Sequence, residues 1–175
     1  TAVAGGGPAG LFAAVTAARN GADVTLFERN PACGRKLLIS GSGQCNISHT
    51  GTVQDFLLHF GKSQRNFLKP ASMSFFREDL FAFFRECGIF FAAGEDGKYF
   101  PESRRAASVL SALEKAADKA AVKIIRNAYV SSVWFDESSA AFKIIINRDS
   151  REQVFDRLIL CAGGKSFPST GSDGN

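Results

Sequence analysis

The 175-residue chain suits one globular domain, or one domain with a subdomain, and its 45% hydrophobic and 22% charged residues are ordinary for a soluble protein. No stretch approaches the ~20 apolar residues that span a bilayer, so neither a membrane helix nor a membrane partner is expected. The net charge of +4 comes from scattered basic residues rather than one basic face, which argues against a nucleic-acid partner.

The cysteines and histidines further limit the chemistry. No two of the four cysteines form a C-x-x-C pair, and the two histidines add no ligand spacing, so we predict no metal site. Separated thiols in a chain without a secretory signal indicate a reducing compartment. We therefore expect a cytoplasmic protein.

The first predicted elements form a strand–helix–strand unit. Residues 1–4 are apolar, an alanine-rich run reaches Arg19, and residues 20–21 (Asn-Gly) are typical of a helix end. A second apolar strand covers residues 24–27. Because a helix joins them, the two strands are predicted to be parallel.

A glycine-rich turn, Gly5-x-Gly7-x-x-Gly10, lies between the first strand and the helix. Gly5 permits a tight turn, Gly7 lets the backbone approach a pyrophosphate, and Gly10 allows close packing of helix on sheet. The helix begins near Pro8 and Ala9 and directs free N–H groups at the phosphates. The pattern alone is weak, but its position after a strand and before a helix fits a dinucleotide site.

An acidic residue follows the second strand. Glu28 lies about 20 residues beyond the glycines, where a carboxylate can accept hydrogen bonds from the ribose hydroxyls of an adenosine. The simpler alternative is a solvated glutamate at a strand end. Glu28 and the adjacent Arg29 are predicted to bind cofactor, and the carboxylate disfavours the 2′-phosphate of NADP. These features do not distinguish FAD from NAD.

The remaining elements follow in chain order. Short helices are predicted at residues 53–60 and 64–69, and a longer one ends at Gly88. Further on we predict a strand pair around 90–91 and 99–100, an amphipathic helix over 106–117, and strands at 122–125, 129–135, 142–146 and 154–160. Most of the 17 phenylalanines lie between residues 56 and 100, which indicates either a core or an exposed aromatic face.

Residues 34–46, GRKLLISGSGQCN, closely resemble the GRKLLISGGGRCN signature of the BaiN/RdsA-type NAD(P)/FAD-dependent oxidoreductase family. Residues 97–101 (GKYFP) and 162–174 (AGGKSFPSTGSDG) are similar to two further segments of that family, so the resemblance covers the whole chain. The departures include Ser42 in place of a glycine and Gln44 in place of an arginine. The loss of the arginine puts one charged contact to FAD in doubt.

The resemblance implies that the signature lies along FAD. Arg35 and Lys36 would bring two positive charges to the pyrophosphate, although alone they would be interpreted as a solvated pair. Gly41, Cys45 and Asn46 are also predicted to lie at the cofactor. We expect a packed cysteine at position 45 rather than a redox-active one, because no partner cysteine lies nearby in sequence.

Later segments complete the predicted site. In related flavoproteins the strand that begins near Val130 passes the adenine, and small residues after the last strand let the chain approach the cofactor. On that basis we predict cofactor contacts from Val130, Ala162, Gly163 and Gly164. Thr170, Ser172 and Asp173 could approach the flavin ring, but turn and capping roles explain them equally well, and no catalytic residue is predicted.

The resemblance implies an α/β fold: a Rossmann-like, three-layer FAD-binding domain with a parallel sheet and a small β-meander over residues 129–146. Residues 1–175 would form this domain, incomplete at both ends, with the substrate domain and a C-terminal FAD-binding segment absent. The implied function is hydride transfer from NAD(P)H through FAD to a small organic acceptor. Two alternatives remain open: an NAD-dependent dehydrogenase, and a flavoprotein of the tRNA-modification type with an RNA partner.

Overall fold

A computed structural model describes residues 1–149 and 151–171. The chain divides into two compact units. The first unit combines Thr1–Ile39 with the chain from Leu113 onward, and the second unit is Ser40–Ala112, inserted in the sequence of the first. The composition allowed a subdomain but did not locate it.

Short helices and strands alternate along both units. The helices are α1 (Pro8–Arg19), α2 (Arg35–Ile39), α3 (Val53–Leu58), α4 (Lys62–Ser74), α5 (Arg77–Glu86) and α6 (Ala106–Lys119). The strands are β1 (Ala2–Ala4), β2 (Thr25–Phe27), β3 (Ser48–His49), β4 (Phe91–Ala93), β5 (Lys98–Pro101), β6 (Lys123–Ile125), β7 (Val130–Asp136), β8 (Ala141–Ile146), β9 (Glu152–Phe155) and β10 (Leu158–Leu160).

The first unit is built on a four-stranded parallel sheet in the order β10-β1-β2-β6. Strand β1 lies inside this sheet and is fully buried, and α1 packs against β1, β2 and β10. The predicted strand–helix–strand unit with parallel strands is therefore confirmed. In register, Ala4 pairs with Phe27 on one side and with Leu160 on the other, so these strands end at one edge of the sheet.

A three-stranded antiparallel meander, β7-β8-β9, packs on the parallel sheet through buried Ile144 of β8 and Phe27 of β2. The rings of Phe27 and Phe155 meet edge to face at 5.9 Å. The single strand predicted over 154–160 is wrong, because the chain leaves the meander after β9 and enters the parallel sheet at β10. Two polar residues, Asp156 and Arg157, separate the strands, and the short apolar runs on either side concealed the break.

The second unit contains α3, α4 and α5 and a three-stranded antiparallel sheet, β3-β5-β4. The predicted pairing of β4 with β5 is confirmed. The phenylalanines divide between the two predicted environments. Phe84 is buried and its ring meets that of Phe91 at 5.4 Å, whereas Phe67 on α4 is 84% exposed. No helix within the described residues is long and apolar enough to cross a membrane.

Candidate nucleotide-binding cleft

A cleft of about 510 Å³ opens in the first unit where the parallel strands end. Parallel α/β sheets characteristically bind ligands at this edge. Most of the predicted site residues line it: Gly5, Gly7, Pro8, Ala9, Glu28, Arg29, Arg35, Lys36, Val130, Ala162, Gly163 and Gly164. The volume falls within the range of small-molecule and cofactor sites.

The three glycines of the first motif have different surroundings. A Cβ on Gly5 would collide with the carbonyl oxygen of Cys161, and Gly5 also has a φ of +108°, which disfavours any side chain. A Cβ on Gly10 would collide with the carbonyl oxygen of Gly5, so its absence lets α1 pack on the turn. A Cβ on Gly7 would meet no protein atom within 4 Å. Gly5 and Gly10 therefore serve the fold, and Gly7 leaves open space in the cleft.

The N-terminus of α1 lies at this open space. Gly7 is the N-cap residue and can offer no side-chain oxygen, and the first turn of this 12-residue helix contains no acidic residue. Pro8 at the first helical position has no N–H, and Leu11 donates its N–H to the carbonyl of Gly7 at 2.9 Å. The helix dipole and the N–H groups before Leu11 favour an anion at this end.

The carboxylate of Glu28 is only 6% exposed and is held by backbone and side-chain donors. The N–H of Gly6 donates to Oε2 at 2.7 Å. The backbone N–H of Asn30 and its Nδ2 donate to Oε1 at 2.8 and 2.6 Å. A carboxylate offers about four acceptor positions. Since the donors among the described residues occupy three, one position on Oε2 stays open, and the predicted ribose contact of Glu28 remains a prediction.

Three cations line the cleft against one carboxylate among the described lining residues. The guanidinium of Arg29 lies 4.7 Å from the ring centre of Tyr129 and donates to the Gly171 carbonyl at 3.1 Å. Arg35 donates to Asn30 Oδ1 at 2.9 Å. Lys36 Nζ lies 3.4 Å from the Gly164 carbonyl. The excess positive charge suits a ligand with two negative charges.

The segment after β10 closes one side of the cleft. The N–H of Cys161 donates to the carbonyl of Ala4 at 2.8 Å, which continues the ladder between β10 and β1. Small residues follow, and Gly163 takes a left-handed φ of +82°. Thr170 lines the cleft, while its hydroxyl donates to the Phe167 carbonyl at 2.7 Å, which is a turn role. Ser172 and Asp173 lie outside the described residues.

The family signature continues into the second unit, which contains Gly41, Cys45 and Asn46. Gly41 has a φ of +55°, and a Cβ there would lie 2.8 Å from the backbone nitrogen of Asn46. Cys45 is buried with a φ of +62°, and burial raises the pKa of its thiol. The pattern agrees with a packed cysteine. Cofactor contact by Gly41, Cys45 and Asn46 stays a prediction.

Among the lining residues that sequence reasoning missed, Asn30 and Tyr129 have side chains that contact predicted site residues. Asn30 connects Glu28 to Arg35 by hydrogen bonds, and the aromatic ring of Tyr129 faces Arg29. Asn30 follows the acidic residue by two positions, but a short polar residue after a strand is also what an ordinary turn requires. The thiol of Cys33 is buried beside Gly6, where a Cβ on Gly6 would collide with its Sγ. Burial raises the pKa of this thiol to about 11, so it is unreactive at neutral pH.

The α1 N-terminus, the three cations and the Glu28 carboxylate together suit a dianion that lies beside a hydroxyl-bearing group. The helix end and the cations suit a diphosphate, and Glu28 suits a ribose hydroxyl. No group of three or more His, Cys, Asp or Glu residues that could hold a metal ion occurs in residues 1–149 and 151–171.

Comparisons with known proteins identify relatives of this chain. The chain is 34% identical over 175 residues to a 3-dehydro-bile acid delta(4,6)-reductase of Clostridium scindens, covering 99% of this chain and 41% of the relative. It is 29% identical to a ribosomal RNA dihydrouridine synthase of Haemophilus influenzae, covering 97% of this chain and 41% of that protein. The chain thus spans about two fifths of the length of the curated relatives it matches.

Solved structures share the fold at low sequence identity. A 3-ketosteroid-delta4-(5alpha)-dehydrogenase from Rhodococcus jostii RHA1 has a TM-score of 0.66 at 17% identity, covering 93% of this chain and 45% of its own. THI4 of Thermovibrio ammonificans has a TM-score of 0.59 at 16% identity, covering 90% and 53%. The predicted Rossmann-like α/β class is confirmed. The model of the HI0933-like protein Rossmann domain matches residues 1–175, and the chain therefore belongs to that family.

Proposed function

We propose that this chain binds the ADP part of FAD in the cleft and serves a flavin-dependent oxidoreductase. The observation that carries the proposal is the open end of α1. Gly7 faces empty space there, the helix has no side-chain cap, and three cations line the same cleft. A diphosphate satisfies all three features.

Individual residues would divide the cofactor between them. The turn at Gly7 and the N–H groups of α1 would hold the pyrophosphate, with Arg35 and Lys36 providing charge. Glu28 would accept a hydrogen bond from the adenosine ribose through Oε2. The backbone near Val130 would contact the adenine, and Arg29 together with Tyr129 would line the cleft beside it. The small residues Ala162, Gly163 and Gly164 would let the chain pass close to the cofactor.

FAD is preferred over NAD because of the family. The GRKLLISGSGQCN segment resembles a flavoprotein signature, and the whole chain matches the HI0933-like family. When bound, the flavin supplies the hydride chemistry, and the protein positions it and tunes its surroundings. The overall reaction would consume one reduced nicotinamide and one proton and add two hydrogens to an unsaturated organic acceptor.

The acceptor is proposed to be a small molecule. The bile acid reductase at 34% identity supports this class. A second candidate is a flavoprotein that reduces RNA, supported by relatives named ribosomal RNA dihydrouridine synthases at 29% and 26% identity. The scattered basic charge of this chain favours the small molecule.

Purification of the full-length protein tests the cofactor first. The visible absorption band of oxidised flavin is expected, and a colourless protein that binds NAD instead would support the dehydrogenase alternative. Oxidation of NADH and NADPH should then be followed with steroid-type enones and with ribosomal RNA as acceptors. Turnover only with RNA, together with strongly salt-dependent RNA binding, would establish the second candidate.

A further inference from the structure

Asn30 joins two groups of the cleft that have different tasks. Its Nδ2 donates to Glu28 Oε1 at 2.6 Å, and its Oδ1 accepts from Arg35 at 2.9 Å. A reversed amide would place its oxygen against the carboxylate and its NH₂ against the guanidinium, and both contacts would be repulsive. The neighbours therefore fix the orientation of the Asn30 amide.

The backbone around Asn30 is also fixed. Its N–H donates to Glu28 Oε1 at 2.8 Å, and its carbonyl accepts from the N–H of Asn127 at 3.1 Å. A Cβ on Gly171 would collide with the Asn30 side chain, so the turn that contains Gly171 lies directly against it. Asn30 is thus enclosed on several sides, although it is only half-buried.

These contacts control which carboxylate oxygen is available. Asn30 supplies both donors to Oε1, while Gly6 supplies one donor to Oε2. We propose that Asn30 is a positioning residue that occupies Oε1 of Glu28, so that the carboxylate recognises a single ribose hydroxyl of the bound nucleotide through Oε2. This inference rests on the proposed function, since it assigns the carboxylate oxygen that accepts the ribose hydroxyl in the same cleft.

The test uses the full-length protein after removal of its flavin, titrated with ADP, 2′-deoxy-ADP and 3′-deoxy-ADP. In the unsubstituted protein one deoxy nucleotide should bind about tenfold more weakly than ADP, the size of one hydrogen bond to a charged group, and the other should bind nearly as well as ADP. We call the larger of the two affinity ratios the ribose ratio.

Asn30→Ala should lower the ribose ratio to about threefold or less, because Oε1 loses the Nδ2 donor, keeps only the backbone N–H of residue 30 and gains an open acceptor position for a second hydroxyl. Asn30→Asp keeps the shape and places a second carboxylate against Glu28, so the ratio should fall at least as far. If the alanine variant does not fold, the ribose ratio of the aspartate variant tests the same inference.

Asn147→Ala is the matched control. Asn147 accepts a hydrogen bond from the Tyr129 N–H at 2.8 Å and donates one to the Asn127 carbonyl at 2.9 Å, and neither bond involves Glu28. Its ribose ratio should not change.

A merely structural role for Asn30 would weaken ADP and both deoxy nucleotides by the same factor. An unchanged ribose ratio in the Asn30 variants would therefore overturn the inference and leave the proposed function standing. Equal binding of ADP and both analogues by the unsubstituted protein would also overturn it. If that protein binds neither FAD nor ADP, the proposed function itself fails, and this inference fails with it.

Discussion

Two glycine-rich turns of this chain differ in what surrounds them. The first turn, residues 5–10, leaves open space in front of Gly7 at the end of a helix. The second turn, residues 40–46, is closely packed. A Cβ on Gly41 would lie 2.8 Å from the Asn46 nitrogen, and Cys45 is buried. The second turn has the more specific sequence, whereas the first turn contributes Gly5, Gly7, Pro8 and Ala9 to the lining of the cleft.

The two turns show that the specificity of a sequence motif does not indicate how much open space lies beside its glycines. Left-handed backbone favours glycine whether or not a ligand is near, so a glycine-rich motif does not by itself indicate a ligand contact. Open space beside a helix N-terminus leaves room for an anionic ligand, but the short pattern that encodes it is common. Substitutions in and around the two turns test this division, beginning with the largest expected effect.

Gly10→Ala should destabilise the protein by about 3 kcal/mol or more, because the new Cβ collides with the Gly5 carbonyl oxygen. Helix propensity alone predicts the opposite sign, since alanine is the better helix former by about 1 kcal/mol. Urea unfolding measures the change. Gly164→Ala is the control, because a Cβ there meets nothing within 4 Å, and its unfolding midpoint should not move.

Gly7→Val should leave stability nearly unchanged and reduce FAD affinity by at least about tenfold, since the added side chain fills the space for the pyrophosphate. Flavin content and titration of the apoprotein provide the measurement. Gly61→Val is a matched control: both glycines are helix N-caps in extended conformation, with φ of −74° and −60°. A Gly7 variant with full flavin occupancy would show that the first turn does not contact the cofactor.

Glu28→Ala should weaken FAD binding by about 1–3 kcal/mol, the value of a hydrogen bond to a charged group. It also leaves the buried N–H of Gly6 without its carboxylate partner, so some loss of stability should accompany the loss of affinity. Isothermal titration and thermal unfolding separate the two effects. Glu114→Ala removes a carboxylate paired with Arg126 at 3.2 Å and should leave FAD affinity unchanged; equal losses in the two variants would count against a ribose contact.

Ser42→Gly should stabilise the protein by about 1 kcal/mol or less. Ser42 has a φ of +54°, where the family signature has glycine, and left-handed backbone costs an L-residue roughly 1–2 kcal/mol, partly offset by the entropy of glycine. Thermal unfolding is the measurement. Ser42→Ala retains the Cβ and the strain, so it should give no gain; a gain of equal size would show that the serine hydroxyl, not the backbone, is the cause.

Local patterns predicted the parts of the fold that depend on neighbours in sequence. The strand–helix–strand unit and α6 follow from apolar periodicity, and the turn glycines mark the boundaries. The division between β9 and β10 was missed because it depends on which sheet each strand joins, a tertiary choice that periodicity does not carry. Asn30 was missed for a similar reason, since its importance comes from Glu28 and Arg35 together.

The position of β1 inside the parallel sheet has a consequence for the order of assembly. Strand β1 is flanked by β2, which follows after one helix, and by β10, which lies more than a hundred residues further along the chain. Closing so long a loop is slow compared with forming the local unit. We therefore expect one edge of β1 to stay open while the intervening chain folds. Because residues 161–164 follow β10, the cleft would be completed in this last step, and a nucleotide that binds there would stabilise the latest-formed contact of the unit.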